Sequence, residues 1–231
     1  MRTHPTSGDG ALMLLSAASG ALDAISFIVF GKVFSAFMTG NLVFLGLGTA
    51  DAFAPGGPDL GRVCIVVVAF SAGVFAAARL ARRARRARRA HGTTGLTRSL
   101  GVVLGIELLF LGGWLVVEGE PSSAAATLLA VIAALAMGMQ TSAIGSLEIK
   151  GVFTTAATGT LVNLSREAAD RRVTQADPAR MARVLVGLVL GALGGGLLLV
   201  HAHPLAAALP PLLTLFALAL LTARAPVTAG D

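Results

Sequence analysis

Apolar residues run along this chain in blocks too continuous for the one-sided stripe of a soluble helix. Six blocks reach the roughly 20 residues that carry a helix across a bilayer core, which predicts spans at 11–31, 60–80, 99–118, 122–147, 180–201 and 204–222. Two further stretches, 33–50 and 152–168, are shorter and interrupted by Thr, Gly and Asn. The expected fold class is an all-α integral membrane protein with six transmembrane helices plus two broken or re-entrant segments. The first block, 11–31, is too long for the apolar core of a signal peptide and leads directly into an interrupted stretch, so a retained helix is expected.

The interrupted stretches matter because length alone does not exclude their spanning. The 18 residues of 33–50 would make a helix of about 27 Å, close to the roughly 30 Å of a bilayer core. Charge placement decides. Of 18 Lys and Arg, eight fall between Arg79 and Arg98 and five between Arg166 and Arg183. Basic loops stay on the cytoplasmic side. Six spans put both clusters and both termini inside, leaving Asp51, Asp59, Arg62, Glu118 and Glu120 outside, whereas eight spans force the second cluster out.

The interrupted stretches also resemble each other. Val33-Phe34-Ser35-Ala36-Phe37-Met38-Thr39-Gly40-Asn41-Leu42-Val43 aligns without gaps on Val152-Phe153-Thr154-Thr155-Ala156-Ala157-Thr158-Gly159-Thr160-Leu161-Val162, with six of eleven positions identical. Each copy follows a long helix with a Gly and a polar residue, Gly20 with Asp23 and Gly138 with Gln140, and precedes two further spans. The chain thus reads as a duplication, residues 1–119 forming one membrane repeat with a basic cytoplasmic loop at 81–98, and 120–231 the other. With three crossings per unit the second copy is inverted, an architecture that recurs among transporters.

At Gly20-Ala21-Leu22-Asp23-Ala24-Ile25-Ser26-Phe27, Val33-Phe34 and Met38-Thr39-Gly40-Asn41-Leu42, the chain resembles the YoaK-like family of uncharacterised bacterial membrane proteins. Gly138-Met139-Gln140 and Thr158-Gly159-Thr160-Leu161 match that family's second half. The resemblance covers nearly the whole chain. It implies a bacterial inner-membrane protein with some six spans, and it brings no established activity.

Candidate chemistry follows from polar residues placed where water is scarce. Non-helical backbone survives in the hydrocarbon core only where protein or a wet cavity satisfies it. Gly40 permits an unusual backbone there, while Thr39 and Asn41 supply hydrogen bonds. Thr39 and Thr158 are candidate N-caps of half-helices whose partly positive ends meet near mid-membrane. Thr39, Gly40, Asn41, Thr158, Gly159 and Thr160 would then contribute to one substrate site. The competing reading makes each Thr-Gly block a close-packing point between helices.

Asp23 stands halfway along the first span, where an ionised carboxylate costs about 2.5–3.5 kcal/mol. It is the first candidate for proton or cation coupling, against a structural role on broken backbone. Glu107, in the third full span, is the second. Gln140 is positioned to orient a solute, or to hold helices together. Half-helix N-termini favour anions and Asp23 favours cations, so no substrate emerges.

Composition agrees with this environment: 55% hydrophobic residues, 13% charged, and a mean hydropathy of +0.80. A net charge of +6 concentrates in loops flanking spans. The tract Arg82-Arg83-Ala84-Arg85-Arg86-Ala87-Arg88-Arg89 accordingly suits topology and anionic lipid headgroups, not nucleic acid, since no aromatic residues stand among the arginines. The lone Cys64 forms no intrachain disulfide and is expected to pack as a small residue. Trp114 is expected to anchor at the membrane interface.

No zinc-protease or phosphate-loop motif occurs, and His4, His91, His201 and His203 lie outside or at the edges of spans. No enzyme, cofactor or metal is therefore expected. The expected partners are the lipid bilayer, a small solute or ion, and a second copy of the chain. The expected function is transport or channelling, with a non-transporting membrane scaffold or regulator as the alternative.

Overall fold

The computed structural model describes residues 7–50, 56–86, 93–145, 157–169 and 177–223. Described residues form eight α-helices: α1 Ser7–Val29, α2 Met38–Thr49, α3 Leu60–Arg86, α4 Thr93–Val116, α5 Ser123–Gly145, α6 Ala157–Ala169, α7 Pro178–His201 and α8 Leu209–Thr222. A 3-10 segment, His203–Ala208, leads into α8. Six helices are long and apolar enough to cross a membrane, with α8 counted together with that segment. The short helices are not among them: the 12 residues of α2 reach only about 18 Å.

Several predicted boundaries move. The span expected at 60–80 continues as helix to Arg86, because Ala-rich, Arg-rich sequence is good helix former even where it is no longer apolar. The stretch 33–50 is helical only from Met38 to Thr49, and in 152–168 the described helix begins at Ala157. α1 stops where Gly31 and Lys32 take left-handed backbone, φ +79° and +61°. α7 starts where Asp177 caps the Ala179 and Arg180 amides at 3.0 and 3.4 Å, with Pro178 behind it.

The most extensive contacts join helices distant in sequence, α1 with α7 and α3 with α5. Glycines allow both. A Cβ on Gly20 would collide with the Leu188 carbonyl oxygen, and one on Gly191 with that of Ala17, so α1 and α7 cross almost backbone to backbone. Gly138 meets Phe70 and Gly73 meets Leu135 in the same way between α5 and α3. Each member of this second set stands 118 positions from its counterpart: Gly20 and Gly138, Leu188 and Phe70, Gly191 and Gly73, Ala17 and Leu135.

The remaining contacts pair off likewise. α1 packs on α8 and α5 on α4; α2 packs on α3 and α6 on α7. Exposed faces carry Ile28, Val68, Leu109, Val189 and Val200, a surface that suits lipid and not water. Two sequence expectations fail on burial. Trp114 is fully buried against Phe30, Phe110 and His203, because the end of α4 packs inward on the turn that follows α1 and on the 3-10 segment. Cys64 is exposed on α3 and fills no packing gap.

Candidate functional site

Asp23 lies on α1 three residues past the Gly20 crossing, and its carboxylate reaches the chain entering α2. Oδ1 accepts from the Ala36 amide at 2.7 Å and from Ser35 Oγ at 3.1 Å. The Ser35 and Phe37 amides also point at this carboxylate. α2 begins without a side-chain cap from its own N-cap residue, Phe37. Asp23 therefore supplies, from a neighbouring helix, the negative charge that a helix start attracts. Thr39, expected as N-cap, is instead the second residue of α2 and exposed.

Asn41 completes the turn. Its Oδ1 accepts from Phe34 N at 3.0 Å, its Nδ2 donates to Phe34 O at 2.7 Å, and the residue is fully buried. Both backbone groups freed by the break are thereby satisfied, as non-helical backbone in an apolar surrounding requires. Gly40 does not take an unusual backbone conformation; it makes room, since a Cβ there would sit 2.6 Å from the Phe37 ring. The rings of Phe27 and Phe34 stack at 5.0 Å, and Phe34 meets Phe37 edge-on at 5.3 Å.

Beside Asp23 opens a groove of about 530 Å³. α1 lines it with Gly20, Asp23, Ala24, Phe27 and Ile28, the approach to α2 with Phe34 and Phe37, and α7 with Leu188 and Ala192. Ala157, the first residue of α6, closes the set. The groove thus receives side chains from both interrupted segments.

The other candidates distribute unevenly. Thr158 is the second residue of α6 and exposed, so it is no N-cap; Gly159 follows it, and Thr160 is buried and engaged. Residues 152–156, the first part of the repeated block, lie outside the described residues. Gln140 does not reach the groove: it donates from Nε2 to Leu15 O at 3.0 Å, tying α5 to α1. Glu107 does not face Asp23. It is buried on α4 opposite Thr214 of α8.

One constellation escaped the sequence reading. Arg62, placed there among outer-loop charges, is buried at the start of α3, donating from Nε to Thr127 Oγ1 at 3.0 Å and from its terminal nitrogens to Phe30 O and Ser123. Asp59 accepts from the Arg62 amide at 3.1 Å. At the start of α7, Asp177 caps Arg180, whose Nε bonds Asp9, while Arg183 reaches Asp9 at 2.8 Å. The signal was present: Asp59-Leu60-Gly61-Arg62 and Asp177-Pro178-Ala179-Arg180 share an Asp-x-x-Arg frame 118 positions apart, the spacing that also separates Asp9 from Thr127. Among the described residues no group of three or more His, Cys, Asp or Glu could hold a metal.

An apolar exterior, six crossing helices and polar groups turned inward define a multi-pass, all-helical membrane protein in contact with the lipid bilayer. A family model described as "Protein of unknown function (DUF1275)" matches residues 11–221, and the chain belongs to that family. It is similar to UPF0700 transmembrane protein YoaK of Bacillus subtilis (strain 168), 26% identical over 160 residues that cover 69% of this chain and 67% of that protein. No solved structure matches.

Proposed function

We propose that this protein is a transporter or channel of the bacterial inner membrane, not an enzyme, and that it passes a small solute through the groove beside Asp23. The observation that carries this reading is the shared lining: Phe34 and Phe37 from the approach to α2, and Ala157 from the start of α6, bound one groove with an intramembrane carboxylate. In this reading α2 and α6 are re-entrant segments in two inverted halves. The recurrence of glycine crossings and Arg clamps at one spacing supports the duplication. Inversion is supported by helix direction, since α1 and α7 meet start to start at Asp9, while Gln140, late in α5, meets Leu15, early in α1.

The groove chemistry bears on the solute. Asp23 spends its charge on the amides entering α2, so the pull of a helix start on anions and that of a carboxylate on cations offset each other. What remains is three phenyl rings, the aliphatic side chains of Ile28 and Leu188, and small residues. A neutral, largely apolar small solute fits such a lining. The rival scaffold role is favoured by one fact: the polar side chains of Asn41 and Gln140 engage the protein's own backbone.

Purified protein in liposomes, tested with a panel of inorganic ions and small neutral metabolites, separates the two. Transport predicts flux of at least one solute, reduced by Ala157→Trp, which fills the groove, in protein that remains folded. Absence of flux across the panel favours the scaffold.

A further inference from the structure

Four helices close a ring: α1 packs on α8, α8 on α4, α4 on α5, and α5 back on α1. Each carries a buried side-chain atom with no hydrogen-bond partner among the described residues. These are Ser19 Oγ and Ser26 Oγ on α1, both carboxyl oxygens of Glu107 on α4, Gln140 Oε1 on α5 and Thr214 Oγ1 on α8. Among the described residues only Trp114 Nε1 and Arg183 Nε share that condition. Buried polar atoms in native proteins are nearly always hydrogen-bonded, so their gathering on the four mutually packed helices points to a function.

Glu107 is the acid of this group. It lies on the buried stripe of α4 with Leu100, Val103, Phe110 and Trp114, and is fully buried. Thr214 faces it across the α4–α8 contact, outside strict hydrogen-bond geometry. α5 and α8 contain no charged residue or histidine. The 3-10 segment brings only His203, which packs on Trp114, two turns from Glu107. On α3, Arg62 is committed to Phe30, Ser123 and Thr127, and Arg79 lies over Phe75. Arg98, on α4 itself, is nine residues away, about 13 Å along the axis. Among the described residues no cation from these elements pairs with the carboxylate, so its burial favours the protonated acid over the charged form.

We propose that Glu107 is a proton-binding site in the membrane interior. Its carboxyl O–H is directed to the Thr214 hydroxyl, and Ser19, Ser26 and Gln140 provide further open hydrogen-bonding positions around the ring. Binding and release change one O–H bond only: the carboxyl gives its proton to water and becomes carboxylate, and the reverse. The site shares no residue with the groove and stands whether or not the groove carries a solute.

Infrared spectroscopy of the purified protein in lipid tests this without any solute. The expected result is a carbonyl-stretch band of a protonated carboxylic acid that shifts in D2O and fades reversibly as pH rises from mildly acidic to alkaline. The band should be lost in Glu107→Gln and moved, not lost, in Thr214→Val. If Glu107→Gln does not fold, the Thr214→Val shift alone decides the assignment, and an unmoved band overturns it. A band that neither D2O nor pH alters, or folded Glu107→Gln protein with the band intact, also overturns the proposal.

Discussion

Arg62 and Arg180 each direct Nε to the start of the helix they pack on, Arg62 to a hydroxyl on α5 and Arg180 to a carboxylate on α1. Arg62 Nε holds Thr127 at the start of α5 while its guanidinium grips Phe30 O just past the end of α1; Arg180 Nε holds Asp9 at the start of α1. Each arginine begins its helix three residues after a capping aspartate, Asp59 or Asp177. The two clamps differ in burial and redundancy. Arg62 is 7% exposed and holds several groups by itself, whereas Arg180 is 28% exposed and shares Asp9 with Arg183. Arg62→Ala should therefore cost about 3 kcal/mol, by stranding the buried Phe30 carbonyl and removing the packing of a buried side chain, and Arg180→Ala about 1 kcal/mol. Thermal unfolding in detergent checks this, and equal losses would contradict the difference in burial.

The glycine crossings give a sharper contrast. Gly191→Ala and Gly138→Ala drive a methyl into a carbonyl oxygen of the partner helix, so the helices must separate. Each should lose about 1–3 kcal/mol. Gly112→Ala and Gly196→Ala have nothing within 4 Å of the new Cβ and should stay within about 0.5 kcal/mol of the parent. Melting temperatures of the four variants measured side by side decide it; a comparable loss in the open pair would show that helix packing is not the cause.

Sidedness rests on the distribution of arginine. Arg79, Arg82 and Arg83 end α3 on the side opposite Gly57, which precedes its start. Basic ends are retained inside. In a Cys64→Ala background, Gly57→Cys should react with an impermeant thiol reagent in intact cells, and Arg83→Cys only after permeabilisation. The opposite pattern would reverse the proposed orientation.

Much of this was legible in the sequence because bilayer thickness imposes one dominant length scale, so the six crossing helices appear as six apolar blocks. The break before Gly40-Asn41 was legible for a related reason: in an apolar surrounding a Thr-Gly-Asn run needs a local partner, and Asn41 finds it in Phe34. Two-sided relationships were not legible. Nothing near Asp23 in sequence shows that it reaches forward to the Ala36 amide, and nothing near Arg62 shows that α5 buries it. An arginine at an apolar block's edge looks like a boundary marker until its neighbours are known. Gln140 could be read either as orienting a solute or as holding helices together, because the Leu15 carbonyl that makes it a tie between α5 and α1 is remote in sequence. The Asp-x-x-Arg repeat was readable but lay outside the conspicuous Thr-Gly block.

Asp23 allows its two roles to be separated. As an anchor it needs only an acceptor oxygen, because what it satisfies are the Ala36 amide and Ser35 hydroxyl, both on buried residues. As a coupling group it needs a proton it can take up and release, which an amide side chain lacks. Asp23→Asn keeps the oxygen and loses the acid; Asp23→Leu loses both. With proton binding assigned to Glu107, Asp23→Asn should remain folded and keep most of its flux in liposomes. Asp23→Leu, which strands the Ala36 amide and unfastens the approach to α2, should lose about 1–3 kcal/mol and its flux together. Paired measurements of melting temperature and flux read both quantities. Folded Asp23→Asn protein without flux would return the coupling role to Asp23, since only its acid would then be missing.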